Sequence, residues 1–176
     1  KEWEQYGRGK ATDGENEKRT EGRIVRPGYT PYIQYGIDES PYSDALVAQA
    51  AAKKLAEIDL NTPFFLFTGP LGPHDPYFVP QRFLDWYDPD EIQLPENFDD
   101  DLMDKPVLYR RTQERYSQLT REEHRESIRR FYAFCSYEDY LFGQILEQVE
   151  KRGMMDNTLI LYVSDHGDYI GSHGLW

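Results

Sequence analysis

With one cysteine, Cys135, among 176 residues, the chain cannot close a disulfide on itself, and its redox compartment stays open. Long hydrophobic runs are missing as well. No stretch approaches the roughly 20 apolar residues of a membrane-spanning helix, and Lys1–Glu4 do not open a signal peptide. Positive charge is scarce: 20 Lys and Arg against 32 Asp and Glu leave a net charge of -12. A broad basic surface that tracks phosphate backbones is thereby excluded, and no nucleic-acid partner is expected. An anionic substrate would gain nothing from so acidic a field, so a metal ion or a few local cations must attract it. Oligomeric state is not readable from these features. The compartment stays open too, with periplasmic, secreted and cytoplasmic locations all compatible if an address was encoded upstream.

What is present is enough for one domain or one large piece of a domain. Residues 1–41 read mostly as loop or irregular chain: Lys1 to Arg26 carry no apolar period, and "GYTPYIQYGIDESP" mixes Tyr with Pro and Gly. The core segment is expected over 42–176. A helix is predicted from about Tyr42 to Ile58, with Leu46, Val47, Ala50, Ala51, Leu55 and Ile58 in helical period. "TPFFLFTG" holds a short apolar run, Phe64 to Phe67, of the kind found in strands covered on both faces. Asp88 to Tyr116, rich in Asp, Pro and Arg, reads mostly as irregular surface bordering a site. "TREE" at Thr120 to Glu123 fits a capping box and starts a long helix whose apolar face includes Ile128, Phe131, Cys135, Phe142, Ile145 and Val149, with Gly153 as its stop. "NTLILYVSD" is then a second buried-type strand. This alternation is that of an α/β protein with a parallel sheet, the long helix packed on one face.

Open α/β sheets gather ligands beyond the carboxyl ends of their strands. Two strands here would deliver suitable groups there: the first releases His74 in "GPHDP", the second Asp165 and His166 in "SDHGD". A carboxylate followed by an imidazole can supply O and N ligands to a divalent cation, and Gly167 lets the chain turn away. The plainer alternatives are a strand-end turn capped by Asp165 and a loop imidazole, His74, held between prolines for shape. His173 in "GSHG" fits a ligand, a substrate contact or a loop residue. His124, beside Glu122 and Glu123, reads as solvated surface. Asp139 falls on or beside the apolar face of the long helix, where a structural hydrogen bond is expected. Cys135 reads as a small core residue, with no base nearby to activate it.

Together, "PFFLFTGPLGPHDPYFVPQRFLDWYD" and "RRFYAFCSYEDYLFGQILEQVEKRGMMDNTLILYVSDHGDYIGSHGLW" resemble the type I sulfatases of the alkaline-phosphatase superfamily, in a strand with a Pro-His-x-Pro loop and in a long helix, strand and Asp-His-Gly segment. The resemblance implies an alkaline-phosphatase-like three-layer sandwich with a mostly parallel central sheet, incomplete in this chain. It implies that Asp165 and His166 ligate calcium or magnesium and that His74 contacts the sulfate and protonates the departing alcohol; His173 stands beside them as a candidate substrate contact from its place in "GSHG" alone. The family's nucleophile is a formylglycine made from a Cys or Ser in a Cys/Ser-x-Pro/Ala-x-Arg motif, which Cys135 in "CSYED" does not fit. Asp99 to Asp101 lie in the wrong order to be the paired aspartates of the metal site, and a family lysine would fall shortly after Trp176. The chain is therefore expected to be an interior piece of a sulfatase catalytic domain, cut at both sides through its site and inactive in isolation. Two ligands alone are too few for an ion that wants six or more.

The function so implied is metal-assisted hydrolysis of a sulfate monoester on a small molecule or carbohydrate. Two alternatives stand beside it: a phosphodiesterase or phosphonate monoester hydrolase of the same superfamily, and a non-catalytic remnant of the fold.

Overall fold

The computed structural model describes residues 19–21, 33–35, 43–75, 77, 79–117 and 119–176. Within the expected loop region, Arg19–Glu21 (β1) and Ile33–Tyr35 (β2) pair antiparallel, Thr20 opposite Gln34. That short ribbon lies within the stretch expected to be mostly loop or irregular; the remainder of 1–41 lies outside the described residues.

Among the described residues four α-helices follow: α1 Ser43–Glu57, α2 Gln81–Leu84, α3 Val107–Tyr116 and α4 Arg121–Lys151. The capping box forms as expected. Thr120 Oγ1 accepts the Glu123 N–H at 3.1 Å, and Glu123 Oε2 accepts the Thr120 N–H at 2.7 Å, so two orphan donors of the first turn are satisfied reciprocally. At the far end Gly153 takes φ +65°, a left-handed conformation that glycine adopts without steric penalty.

Helix α1 lies along α4, and the two run in the same direction: Asp44 sits by Glu138, and Leu55 packs with Val149. Small residues, Ala45 and Ala48, let α1 approach Phe134 and Tyr137 within the main core. Helix α2 packs on the same α4 face through Phe83, which is fully buried. It is tied down by Arg129, whose guanidinium donates to the carbonyls of Leu84 and Tyr87.

Three expectations are corrected here. Asp139 is exposed; the buried carboxyl of α4 is its neighbour Glu138, because the helix is rotated so that Phe134, Tyr137, Glu138 and Leu141 face the core while Tyr132 faces outward. His124 is buried rather than solvated, stacked on Trp176 with ring centroids 5.7 Å apart and touched edge-on by Phe98. Residues 107–116, read as irregular, form α3. Its polar sequence hides it, but Pro106 stands at its N-cap and Gln113 donates to the carbonyls of Asp100 and His173, so tertiary contacts hold it.

The two apolar runs are not strands among the described residues, and no backbone hydrogen bond joins one to the other there. Their side chains nevertheless divide between two sides. Leu66 and Ile160 pack into a second core beneath Leu55, Val149 and Met154, and Tyr162 meets Phe142 at 4.9 Å. Phe65 and Leu159 are turned to solvent, 90% and 85% exposed. A ladder needs neighbouring strands, and the described residues contain none beside these runs. Among the described residues no helix is long and apolar enough to cross a membrane.

Candidate functional site

Each helix–run unit ends in a turn that carries candidate chemistry. After α1 and Phe64 to Phe67, the chain bends through Leu71–Pro73 into His74. That bend is pinned from α1: Asp44 Oδ1 accepts the Leu71 N–H at 2.8 Å and Oδ2 accepts the Gly72 N–H at 3.2 Å. Gly72 is needed because a Cβ there would lie 2.3 Å from Glu138 Oε1 and 2.6 Å from Phe134 Cε2. Glu138, pushed up to about 9 by burial and then by the Asp44 carboxylate, holds a proton at neutral pH, and its carboxyl bonds to Asp44.

His74 itself is exposed. Its Nδ1 lies 2.7 Å from both the Asp75 backbone carbonyl and Asp75 Oδ1. An Nδ1–H donated there leaves Nε2 open toward solvent.

The second turn follows Leu159 to Val163. Asp165 Oδ1 accepts the His166 N–H at 3.0 Å, and Ser164 Oγ donates to the His166 carbonyl. His166 donates Nδ1–H to the Gly167 carbonyl at 2.9 Å, which fixes the tautomer and leaves Nε2 as an acceptor facing Asp165 Oδ2 at 3.8 Å. The Gly167 hydrogen bond, then the Asp165 carboxylate, raise His166 above the usual imidazole range, with Asp168 and Asp75 adding to the effect.

The structure brings the two turns together. The rings of His74 and His166 meet edge to face with centroids 5.6 Å apart. Between the same turns, the Tyr77 hydroxyl donates to Asp168 Oδ2 at 2.6 Å. Asp165, His166 and His74 thus share one open edge.

His173 behaves differently. It sits at φ +58°, its Nδ1 2.7 Å from Asp100 Oδ2 and its Nε2 accepting from the Asn97 amide at 3.1 Å. The Leu102 N–H, then His173, hold the Asp100 carboxyl below its usual range. A substrate contact by His173 would first give up one of these bonds. The neighbouring acids are also in local use: Asp99 pairs with Arg121, and Asp101 accepts the Met103 N–H. A cavity of about 460 Å³ lies there, lined by Phe98, Asp100, Gln113, His124 and Gly174, and neither His74, Asp165 nor His166 lines it. Burial raises Cys135 to about 11, which keeps it a thiol and unsuited to nucleophilic attack. Two residues at the joined turns, Tyr77 and Asp168, escape sequence reasoning. Their only signal is proximity to His74 and His166 in the chain.

As to a metal, among the described residues no group of three or more His, Cys, Asp or Glu is disposed to hold one. Asp165 Oδ2 and His166 Nε2 fit as part of a set: both are exposed, the imidazole tautomer is right, and 3.8 Å is a separation that two ligands of one cation can have. They do not complete a set.

The family model described as Sulfatase matches residues 7–176. The chain belongs to the sulfatase family. It is 31% identical to a choline-sulfatase of Rhizobium meliloti over 79% of this chain and 29% of that protein. A sulfatase of Formosa agariphila is 32% identical over 77% of this chain and 30% of its own length. The iduronate 2-sulfatase of Mus musculus is 26% identical over 90% of this chain and 32% of its own. The chain therefore spans about three-tenths of the length of these curated relatives. No solved structure matches it.

Proposed function

We propose that the protein is a sulfuric-ester hydrolase in which His74, Asp165 and His166 form one part of the active site. The observation that carries this reading is the meeting of the His74 and His166 turns at one edge, from units far apart in the chain.

His74 is the general acid of the proposal. Its Nδ1 is engaged with Asp75, so Nε2 is the nitrogen that can hand a proton to the departing alcohol oxygen, a contribution typically worth about 10²–10⁴ in rate. Asp165 and His166 would hold a calcium or magnesium ion together with carboxylates from elsewhere in the protein. When bound, such an ion supplies neutralisation of the sulfate oxygens. On an edge that also carries Asp75 and Asp168, that neutralisation answers the repulsion an anionic ester would otherwise meet. The nucleophile is proposed to be a formylglycine outside this chain, since the thiol of Cys135 is half-buried and protonated. The substrate is a sulfated small molecule or carbohydrate, the classes named in relatives such as the choline-sulfatase and an ulvan-active sulfatase.

The family's three-layer sandwich is proposed to assemble on the bare side of the two apolar runs. Two parallel helices, each followed by a run whose inner residues share one core, support a parallel arrangement of those runs. Exposed Phe65 and Leu159 then mark the face that another layer covers. The whole of 1–176 belongs, in this reading, to a single catalytic domain.

The test is hydrolysis by the full-length protein of an aryl sulfate against the matching phosphodiester and phosphonate monoester. Preference for the sulfate is expected. Preference for either phosphorus ester, or turnover of none of the three, overturns the assignment.

A further inference from the structure

We propose that Asp168 and Tyr77 are positioning residues, whose hydrogen bond sets the spacing between His74 and His166; the proposal rests on the sulfatase reading for its catalytic consequence. Tyr77 lies three residues after His74, and Asp168 two residues after His166. The phenol donates to Asp168 Oδ2 at 2.6 Å, and among the described residues this bond ties the two turns directly. Neither partner is loosely held. The Tyr77 ring is 1% exposed and wedged against Phe131 of α4 and against Trp176, with centroids at 5.5 and 6.1 Å. The other carboxylate oxygen of Asp168 accepts the Ile170 N–H at 3.0 Å, which fixes the carboxylate on its own turn.

The consequence is mechanical. His74 and His166 are both exposed and both anchored through Nδ1 to oxygens of the very next residue, so neither ring is located by the core. Their placement is inherited from the turns, and the phenol reaches from the core to fix one turn against the other. A proton donor and a cation ligand working on one sulfate group must keep their separation, because a displacement of about an ångström can cost on the order of a hundredfold in rate. Tyr77 and Asp168 touch no reacting atom in this account. They act through the two histidines.

The test uses the full-length protein with Tyr77→Phe, Asp168→Ala and Asp168→Asn. The first keeps the ring in the core and removes only the donor. The last keeps a bond, its amide N–H donating to the phenol oxygen while its carbonyl accepts from Ile170. Two quantities are read: the cross-relaxation peak between the His74 and His166 rings in metal-free, histidine-labelled protein, and kcat and KM on an aryl sulfate. Tyr77→Phe and Asp168→Ala are expected to lose the peak and about ten- to a hundredfold in kcat with little change in KM, and Asp168→Asn to recover both relative to Asp168→Ala. Retention of peak and kcat in Tyr77→Phe and Asp168→Ala overturns the proposal, as does an Asp168→Asn protein no better than Asp168→Ala. A wild-type protein without sulfatase activity would defeat the functional reading separately, and the ring contact would still decide this one.

Discussion

The ring of His166 meets the ring of His74 edge to face, with planes 80° apart and centroids 5.6 Å apart. No direct hydrogen bond between the two side chains produces this contact. It is produced by two pinned turns: Asp44 holds the chain entering His74, and Tyr77 grips Asp168 just beyond His166.

The Asp44–Glu138 pair makes that pinning sensitive to alkali. Burial and the Asp44 carboxylate raise Glu138 from 4.5 to about 9, so the folded protein keeps a proton that the unfolded chain has already released at neutral pH. Its contribution to stability is complete below about pH 4.5 and is lost as pH rises through about 9. Thermal melting in Glu138→Gln, which keeps a donor to Asp44 without a titrating proton, is expected to show a flatter decline over that window than the parent. Equal slopes would remove Glu138 as the cause.

His124 gives the opposite slope on the acid side. Burial lowers it to about 4, and the Trp176 indole N–H donates to Nδ1, an acceptor only while the ring is neutral. The stability it contributes is present above about pH 6.5 and is lost as pH falls toward about 4. In His124→Gln the acid limb of a melting-temperature profile should shrink, at a lower baseline stability. A limb of unchanged size would place the acid transition elsewhere.

Gly72→Ala should destabilise the fold by about 1–3 kcal/mol, the usual range for overpacking, because its methyl would sit inside contact distance of Glu138 and Phe134. Denaturant unfolding measures this directly. Activity should fall further than stability alone requires, since the displaced backbone leads into His74. A neutral outcome would mean that Glu138 can swing away at no cost.

What was legible in the sequence follows from how local the cause is. The capping box at Thr120 depends on four consecutive residues, and it formed as read. The approach of the His74 turn to the Asp165–His166 turn was legible because two helices lying side by side, each followed by an apolar run, send their following turns to the same edge. The buried carboxyl was misplaced by one residue, from Glu138 to Asp139, since one step along a helix turns the side chain by about 100° and an apolar stripe is itself about that wide. Burial of His124 was hidden because Trp176, the ring that covers it, is remote in sequence. Helix α3 was missed for a like reason, its few anchors being Gln113 and Tyr116 rather than an apolar period.

The central claim, that Asp165 belongs to a sulfate-ester-cleaving site, is tested most directly by turnover of an aryl sulfate in the full-length protein carrying Asp165→Ala. Asp165 is exposed, and among the described residues it meets only its neighbour His166, through the backbone N–H at 3.0 Å and the imidazole at 3.8 Å, so the substitution should leave the fold intact. Turnover reduced to background, with an unchanged melting temperature, is the predicted result. A variant that folds and hydrolyses the ester at the parental rate would contradict the account.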